Sequence, residues 1–230
     1  LSVARGWDQK YKGEPAPFLS EQGHSQLFTG SDLLYAAVWF TKFTGDKNPM
    51  VWGKRLAHRY VETRSPGIGI SLLHFSFNQD YVNSVGDEVS RRLGQQRSFP
   101  FYSYANREVW KTRFGYDMPT PGVILNFHTI PWICWLMVGD LFPEKNKDIV
   151  QWAKDELTAW GKVSYRRRDN VFVPISLIDG TSLEGYLCKE DELLGFRGTR
   201  LEPVPLGSTE FWAYALAYCL TDDDFMWEMT

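Results

Sequence analysis

"SDLLYAAVWFTKFTGDKNPMVWGKRLAHRYVETR", residues 31–64, is the stretch whose reading decides the fold. Its first half carries Leu33, Leu34, Ala37, Val38 and Phe40 at helical spacing, with Ser31 and Asp32 as candidate caps and Gly45 as a stop. The second half starts afresh. Asn48 stands at the cap position, and Pro49 at the first helical position, where the N–H it lacks would have had no partner anyway. Apolar residues then recur at Val51, Leu56, Tyr60 and Val61. Only "GDKNP" joins the halves, and so short a link folds two helices back on each other as an antiparallel hairpin.

Outward from this hairpin the pattern repeats. Residues 123–142, "VILNFHTIPWICWLMVGDLF", read as a mostly apolar helix that Pro131 kinks unless the true start lies near Ile130. Residues 143–165 supply an amphipathic partner with Ile149, Val150, Ala153, Leu157 and Trp160 on one face. Residues 208–229 give a third set: Ser208 as cap, Phe211, Ala215, Tyr218 and Cys219 inward, a turn, and another helix beginning near Asp223. An apolar inner helix alternating with a more polar outer one is what an α/α toroid requires. The expected fold class is therefore all-α dominated, an (α/α) toroid or barrel of helical hairpins that is incomplete in this chain, with long rim loops and a small β-hairpin.

The rim loops are residues 65–122 and 166–207, with residues 1–20 as an extended lead-in. Within the second, "VFVPISLIDG", residues 171–180, reads as strand and turn. Gly180, Gly185, Gly195 and Gly198 then set tight turns through residues 179–207. Long segments of this kind inside a domain carry function when they are ordered, and their ring content argues for order.

Composition narrows the function. The net charge of −3 leaves no basic field to hold nucleic acid. No run of about 18 apolar residues occurs, so no membrane partner is expected. Cys134, Cys188 and Cys219 lack a metal-knuckle spacing and read as buried free thiols. The chain opens at Leu1 without a leader-like stretch and closes where a helix begins, so both ends look cut; periplasmic, secreted and cytoplasmic locations stay open. Aromatic residues make up 16% of the sequence, with ten tryptophans, and ring faces that do not build core can stack on the apolar face of a pyranose.

Several stretches resemble one family. "LLYAAVWFTKFTGDKNPMVWGKRLAHRYVETR" followed by "GIGI" is similar to a helical hairpin of family 2 polysaccharide lyases, the pectate lyases with an α/α barrel. "DGTSLEGYLCKEDELLGFRGTRLEPVP" resembles their late rim loop, and "FWAYALAY" and "MWEM" the helices after it. The matches run in order over half to two-thirds of the chain. The resemblance implies cleavage of polygalacturonate by β-elimination, with an arginine as base and a divalent metal ion held by histidine and glutamate. In that family these groups precede the resembling segment, and neither the base nor the metal ligands are found in this chain. Either the front half is missing, and residues 1–230 form a single domain that is a fragment of a larger catalytic barrel whose remainder is a candidate partner, or this relative has lost the chemistry. The tyrosine-rich turn of the family's rim loop is replaced here by "ELLG", residues 192–195, which puts its substrate contacts in doubt.

Chemistry alone sets a matching demand. A uronate C5 proton is very weakly acidic, and removing it requires neutralisation of the adjacent carboxylate beside a base. "REVWKTRFGY" places Arg107, Lys111 and Arg113 around Trp110, Phe114 and Tyr116, the combination of forked cation and ring that an acidic sugar needs. With Tyr186, Lys189 and Arg197 of the later loop, Arg107, Trp110, Lys111 and Arg113 form the expected substrate-binding set. Each cation also has a plainer reading: pairing with Glu108 and Asp117 in the first loop, or with Glu190, Asp191 and Glu192 in the second. The run Arg166, Arg167 and Arg168 reads as positive charge complementing the end of a helix. His58 is expected on the surface, His74 and His128 in the core, and His24 with Glu21 is a weak ligand candidate. No histidine pair has metal-ligand spacing. Two other functions fit the same features: a carbohydrate-binding module without catalysis, and an α/α-toroid glycoside hydrolase drawing on Glu184 with Glu210 or Asp117.

Overall fold

The computed structural model describes residues 24–62, 64, 67–71, 74–76, 129–175, 180–187, 198 and 200–230, and only the backbone of residues 24–26, 28–29 and 74–76. In chain order its elements are β1 (His24–Gln26), α1 (Leu27–Thr44), α2 (Asn48–Glu62), β2 (His74–Ser76), α3 (Thr129–Leu141), α4 (Lys147–Val163), β3 (Tyr165–Arg166), β4 (Val171–Phe172), β5 (Val204–Pro205), α5 (Ser208–Thr221) and α6 (Asp224–Glu228).

Two layers of helices result. α1 packs on α2 and α3, α3 on α4 and α5, and α5 on α4 and α6, while α2 meets α4. An inner row α1, α3, α5 is thus backed by an outer row α2, α4, α6. Hydropathy explains the sorting. The inner helices are apolar along their length, whereas α2 and α4 gather their apolar residues on one face. The expectation of all-α hairpins with little sheet is borne out.

Within the first hairpin, Gly45 ends α1 at φ 73° and its N–H bonds the Thr41 carbonyl at 2.9 Å, a left-handed cap that suits glycine. At the far end of the pair Gly30 faces the Tyr60 ring, and a Cβ at residue 30 would run into that buried ring. α1 begins at Leu27, one turn before the expected Ser31. Ser31 is buried instead, its Oγ donating to the Leu27 carbonyl at 2.7 Å and accepting from Trp135 Nε1 at 3.0 Å. On α2 the inward position is Trp52, and Val51 is 46% exposed.

α3 starts at Thr129, which puts Pro131 in the first turn, where its missing N–H removes no helical bond. Along α4, Ile149, Ala153, Leu157 and Trp160 are buried as expected, with Val150 half-buried. α5 turns a different face inward: Glu210, Ala213, Tyr214 and Ala217 are buried, and Phe211 and Cys219 are exposed. The cause is Tyr214, whose hydroxyl donates to the Leu157 carbonyl at 2.8 Å and fixes the rotation of the helix. Cys134 is half-buried, so of the two described thiols neither is fully enclosed.

The last helix is tied down by Asp223. Its carboxylate accepts from the Phe225 N–H at 3.1 Å and from Lys154 Nζ on α4 at 3.0 Å, and Lys154 holds its pKa below the ordinary 3.8. Asp223→Ala is expected to cost about 1 kcal/mol, the scale for a lost N-cap. Because the folded pKa is depressed, this contribution is present above pH 3.8 and is lost as pH falls below it, which denaturant unfolding at pH 7 and pH 3 would show.

Two small sheets complete the fold. β1 pairs antiparallel with β2, and β3, β4 and β5 form an antiparallel sheet in that order. A small β-hairpin is present as β3 with β4, but it turns through Asn170 at φ 55°, ahead of the turn expected at the end of residues 171–180, and β5 adds a strand.

Candidate functional site

The inner helices run the same way. Lys54 of α2 reaches Lys145 and Asp148 at the start of α4, and Arg64 just past α2 reaches Trp152 and Glu156 further along it, so α2 and α4 are parallel and their hairpin partners α1 and α3 are too. Thr129 and Glu210, in the first turns of α3 and α5, meet at 3.5 Å. Both long connections leave the C-terminus of an outer helix, α2 or α4, and return to the N-terminus of an inner one, α3 or α5. Their attachment points therefore lie at one end of the helical rows, a rim.

At this rim the described part of residues 180–206 is a small closed ladder. The Leu183 N–H bonds the Pro174 carbonyl at 2.7 Å, Gly185 N–H bonds the Leu201 carbonyl at 2.7 Å, and Leu201 N–H bonds the Tyr186 carbonyl at 2.8 Å. Bridges join Ile175 to Ser182 and Leu187 to Arg200. Gly180, Gly185 and Gly198 have φ of 77°, 79° and 83°, so the expected glycine turns are present there. Gly180 has a second reason to lack a side chain: a Cβ would stand 2.7 Å from Val163 Cγ1. Gly195 lies outside the described residues.

Tyr186 is half-buried on this ladder. It alone of the expected substrate-binding set is described; Arg107, Trp110, Lys111, Arg113, Lys189 and Arg197 lie outside the described residues. The arginine run behaves otherwise than a helix-end charge cluster. α4 stops at Val163, and Arg166, on β3, sends Nε to Asp169 at 2.8 Å and Nη1 to Glu184 at 2.6 Å. Hydrogen bonding from Arg166 holds the Asp169 carboxyl below its ordinary range. Arg167 reaches Glu228 at 3.7 Å. Arg200, 62% exposed at its side chain, has a 3.9 Å contact to Glu202 and a 3.5 Å bond to the Gly185 carbonyl.

Of the acids considered for hydrolysis, Glu184 and Glu210 are engaged, and Asp117 lies outside the described residues. Glu184 belongs to Arg166, and buried Glu210 accepts from the Gly207 N–H at 3.0 Å, from Thr209 and from Thr129, closing the start of α5 and joining it to α3. His58 is at the surface, beside Glu62 at 3.3 Å with its ring against Trp152. The side chains of His24 and His74, and all of His128, lie outside the described residues. Among the described residues, no three His, Cys, Asp or Glu side chains converge to hold a metal ion.

One polar cluster was not anticipated. Glu156, buried on α4, accepts from the Ser71 N–H at 2.7 Å, Ser71 Oγ at 2.8 Å and Arg64 Nε at 3.0 Å, and Arg64 also donates to the Trp152 carbonyl. Burial pushes the Glu156 carboxyl up, while Arg64 and Ser71 pull it back. The signal was in the sequence: residue 156 falls within the apolar stripe of residues 149, 153, 157 and 160.

Two rows of helical hairpins with a glycine-turned ladder at one rim define a protein of the α/α class. A model of the periplasmic pectate lyase family matches residues 2–230, and the chain belongs to that family. It is 28% identical over 208 residues to a pectate disaccharide-lyase of Dickeya dadantii (strain 3937), a match that covers 88% of this chain and 36% of that protein. The chain thus spans little more than a third of that relative's length. The resemblance read from the first hairpin, the late rim loop and the helices after it is borne out, and the family match extends over nearly all of the sequence. No helix among the described residues is long and apolar enough to cross a membrane.

Proposed function

We propose that this chain is part of a polysaccharide lyase that cleaves polygalacturonate by β-elimination. The observation that carries the reading is the family match over residues 2–230, supported by a relative named for pectate cleavage. In this reading Arg107, Lys111, Arg113, Lys189 and Arg197 neutralise uronate carboxylates and Trp110 and Tyr186 offer ring faces to the sugar. On the same reading the catalytic base, and the ligands of a divalent metal ion that would polarise the uronate carboxylate, come from a part of the protein outside this chain. The substrate is an acidic polysaccharide or oligogalacturonate, and the site of action is periplasmic or secreted.

Residues 1–230 act as one domain within a larger α/α barrel. What supports a larger barrel is the two ends of the inner row: α1 exposes Phe40 and Phe43, and α5 exposes Phe211 and Trp212. Such apolar faces suit continued helix packing by the remainder of the same barrel.

The test is turnover of polygalacturonate by the full-length gene product. β-Elimination is expected to raise the absorbance of an unsaturated uronate, and a chelator to abolish that rise. New reducing ends without the absorbance would mean a hydrolase. Binding of oligogalacturonate with neither signal would mean a non-catalytic carbohydrate-binding module.

A further inference from the structure

We propose that Arg166 is a positioning residue: its guanidinium holds the turn of residues 184–186, and so places Tyr186 at the rim. The kinetic part of this inference rests on the lyase reading above; the structural part does not.

The geometry supports it in three ways. First, Arg166 stands on firm ground. It lies on β3, three residues past the end of α4, and β3 pairs with β4, which pairs with β5 leading into α5. Second, its fork is already aimed. Asp169, in the turn of the same hairpin, accepts from Nε at 2.8 Å and sits 2.8 Å from Nη2, and this leaves the Nη edge to face outward. Glu184 then takes that edge with both oxygens, at 2.6 Å from Nη1 and 3.3 Å from Nη2. Third, Glu184 is joined directly to the turn. Its own N–H bonds Ser182 Oγ at 3.2 Å, Gly185 follows at φ 79°, and Tyr186 comes next.

The turn also has ladder bonds to Leu201, the bond from the Tyr186 N–H to the Leu183 carbonyl and the 3.5 Å bond from Arg200 to the Gly185 carbonyl, but the fork is the contact that ties Glu184 to β3. Arg166 and Glu184 keep 26% and 38% of their side-chain surface exposed, and exposed pairs add little to global stability. The fork therefore acts on loop order and not on whether the protein folds. A lysine could supply the charge but not two parallel bonds to Glu184.

The experiment compares the full-length protein with Arg166→Gln, Arg166→Lys and Glu184→Gln. Amide hydrogen exchange is followed at Gly185 and Leu201, whose N–H groups close the ladder, with the amides of α3 and α5 as reference. Steady-state kinetics are measured on oligogalacturonate. Arg166→Gln and Glu184→Gln are expected to speed exchange at Gly185 and Leu201 by about tenfold with α3 and α5 unchanged, and to raise KM about tenfold with kcat within about twofold. Arg166→Lys should recover only part of either effect. Exchange within about twofold of wild type at both amides overturns the proposal, as does faster exchange throughout α3 and α5, which would make the pair a global stabiliser. A fall in kcat at unchanged KM also overturns it, placing Arg166 in the chemistry. Should the wild-type protein fail to turn over uronan, the lyase reading falls, and the exchange data still decide whether Arg166 holds the turn.

Discussion

Replacing Glu156 with alanine is expected to destabilise the protein by about 3–5 kcal/mol, the range for breaking a buried ion pair from one side. Glu156 is fully buried, and its two oxygens accept three hydrogen bonds, two from Ser71 and one from Arg64. Removing the carboxylate strands the Ser71 N–H and leaves the guanidinium of Arg64, only 15% exposed, with the Trp152 carbonyl and a 3.8 Å contact to Asp155. Glu156→Gln keeps the volume and one acceptor oxygen, so its loss should be smaller, about 1–3 kcal/mol, the cost of one unsatisfied buried partner. Denaturant unfolding of the two variants measures the difference. Equal small losses would mean that solvent compensates Arg64. The cluster also has a positional meaning, since residues 64–71 are where the chain leaves α2 toward β2 and the rim.

Why Glu156 escaped the sequence reading while the hairpins did not is a matter of range. Gly45, Asn48, Pro49 and Pro131 act on their own turn of backbone, so the end of α1 and the start of α2 were legible from neighbours alone, and Pro131 offered the start near Ile130 that α3 has. The stripe position of Glu156 signals its burial, but the partners of Glu156, Ser31 and Glu210 lie 85, 104 and 81 residues away, and no local pattern announces them. The faces of the inner helices were hard to read for a related reason. α5 is apolar nearly all round, so the spacing of Phe211, Ala215 and Cys219 fits an inward face as well as that of Ala213 and Ala217, and the bond from Tyr214 to Leu157 decides. In the rim loop, glycines at 180, 185 and 198 told correctly where the chain would turn, because a positive φ is a property of one residue. The role of Arg166 was not legible, since its partner Glu184 is 18 residues on and across a strand.

Trp135→Ala is expected to cost about 3–5 kcal/mol, the range for a large aromatic removed from a packed core. The reason is position. Trp135 is 1% exposed at the seam of α1 and α3, edge-on to Trp132 at 5.0 Å and to Trp152 of α4 at 6.4 Å, so one ring touches both rows of helices. Its indole N–H donates at 3.0 Å to Ser31 Oγ, which is itself turned toward the Leu27 carbonyl. Area and hydrogen bond can be separated. Trp135→Phe removes the donor and trims the ring, for about 1–3 kcal/mol, while Ser31→Ala leaves the indole N–H buried without an acceptor, for a similar loss. Because each single change breaks the same bond, the double variant should be less unstable than the sum, by about 0.5–1.5 kcal/mol. Additive losses would show that the bond contributes nothing beyond packing. A loss below about 1 kcal/mol for Trp135→Ala would mean that α1 and α3 do not share a close-packed seam, since a ring removed from native packing cannot cost so little.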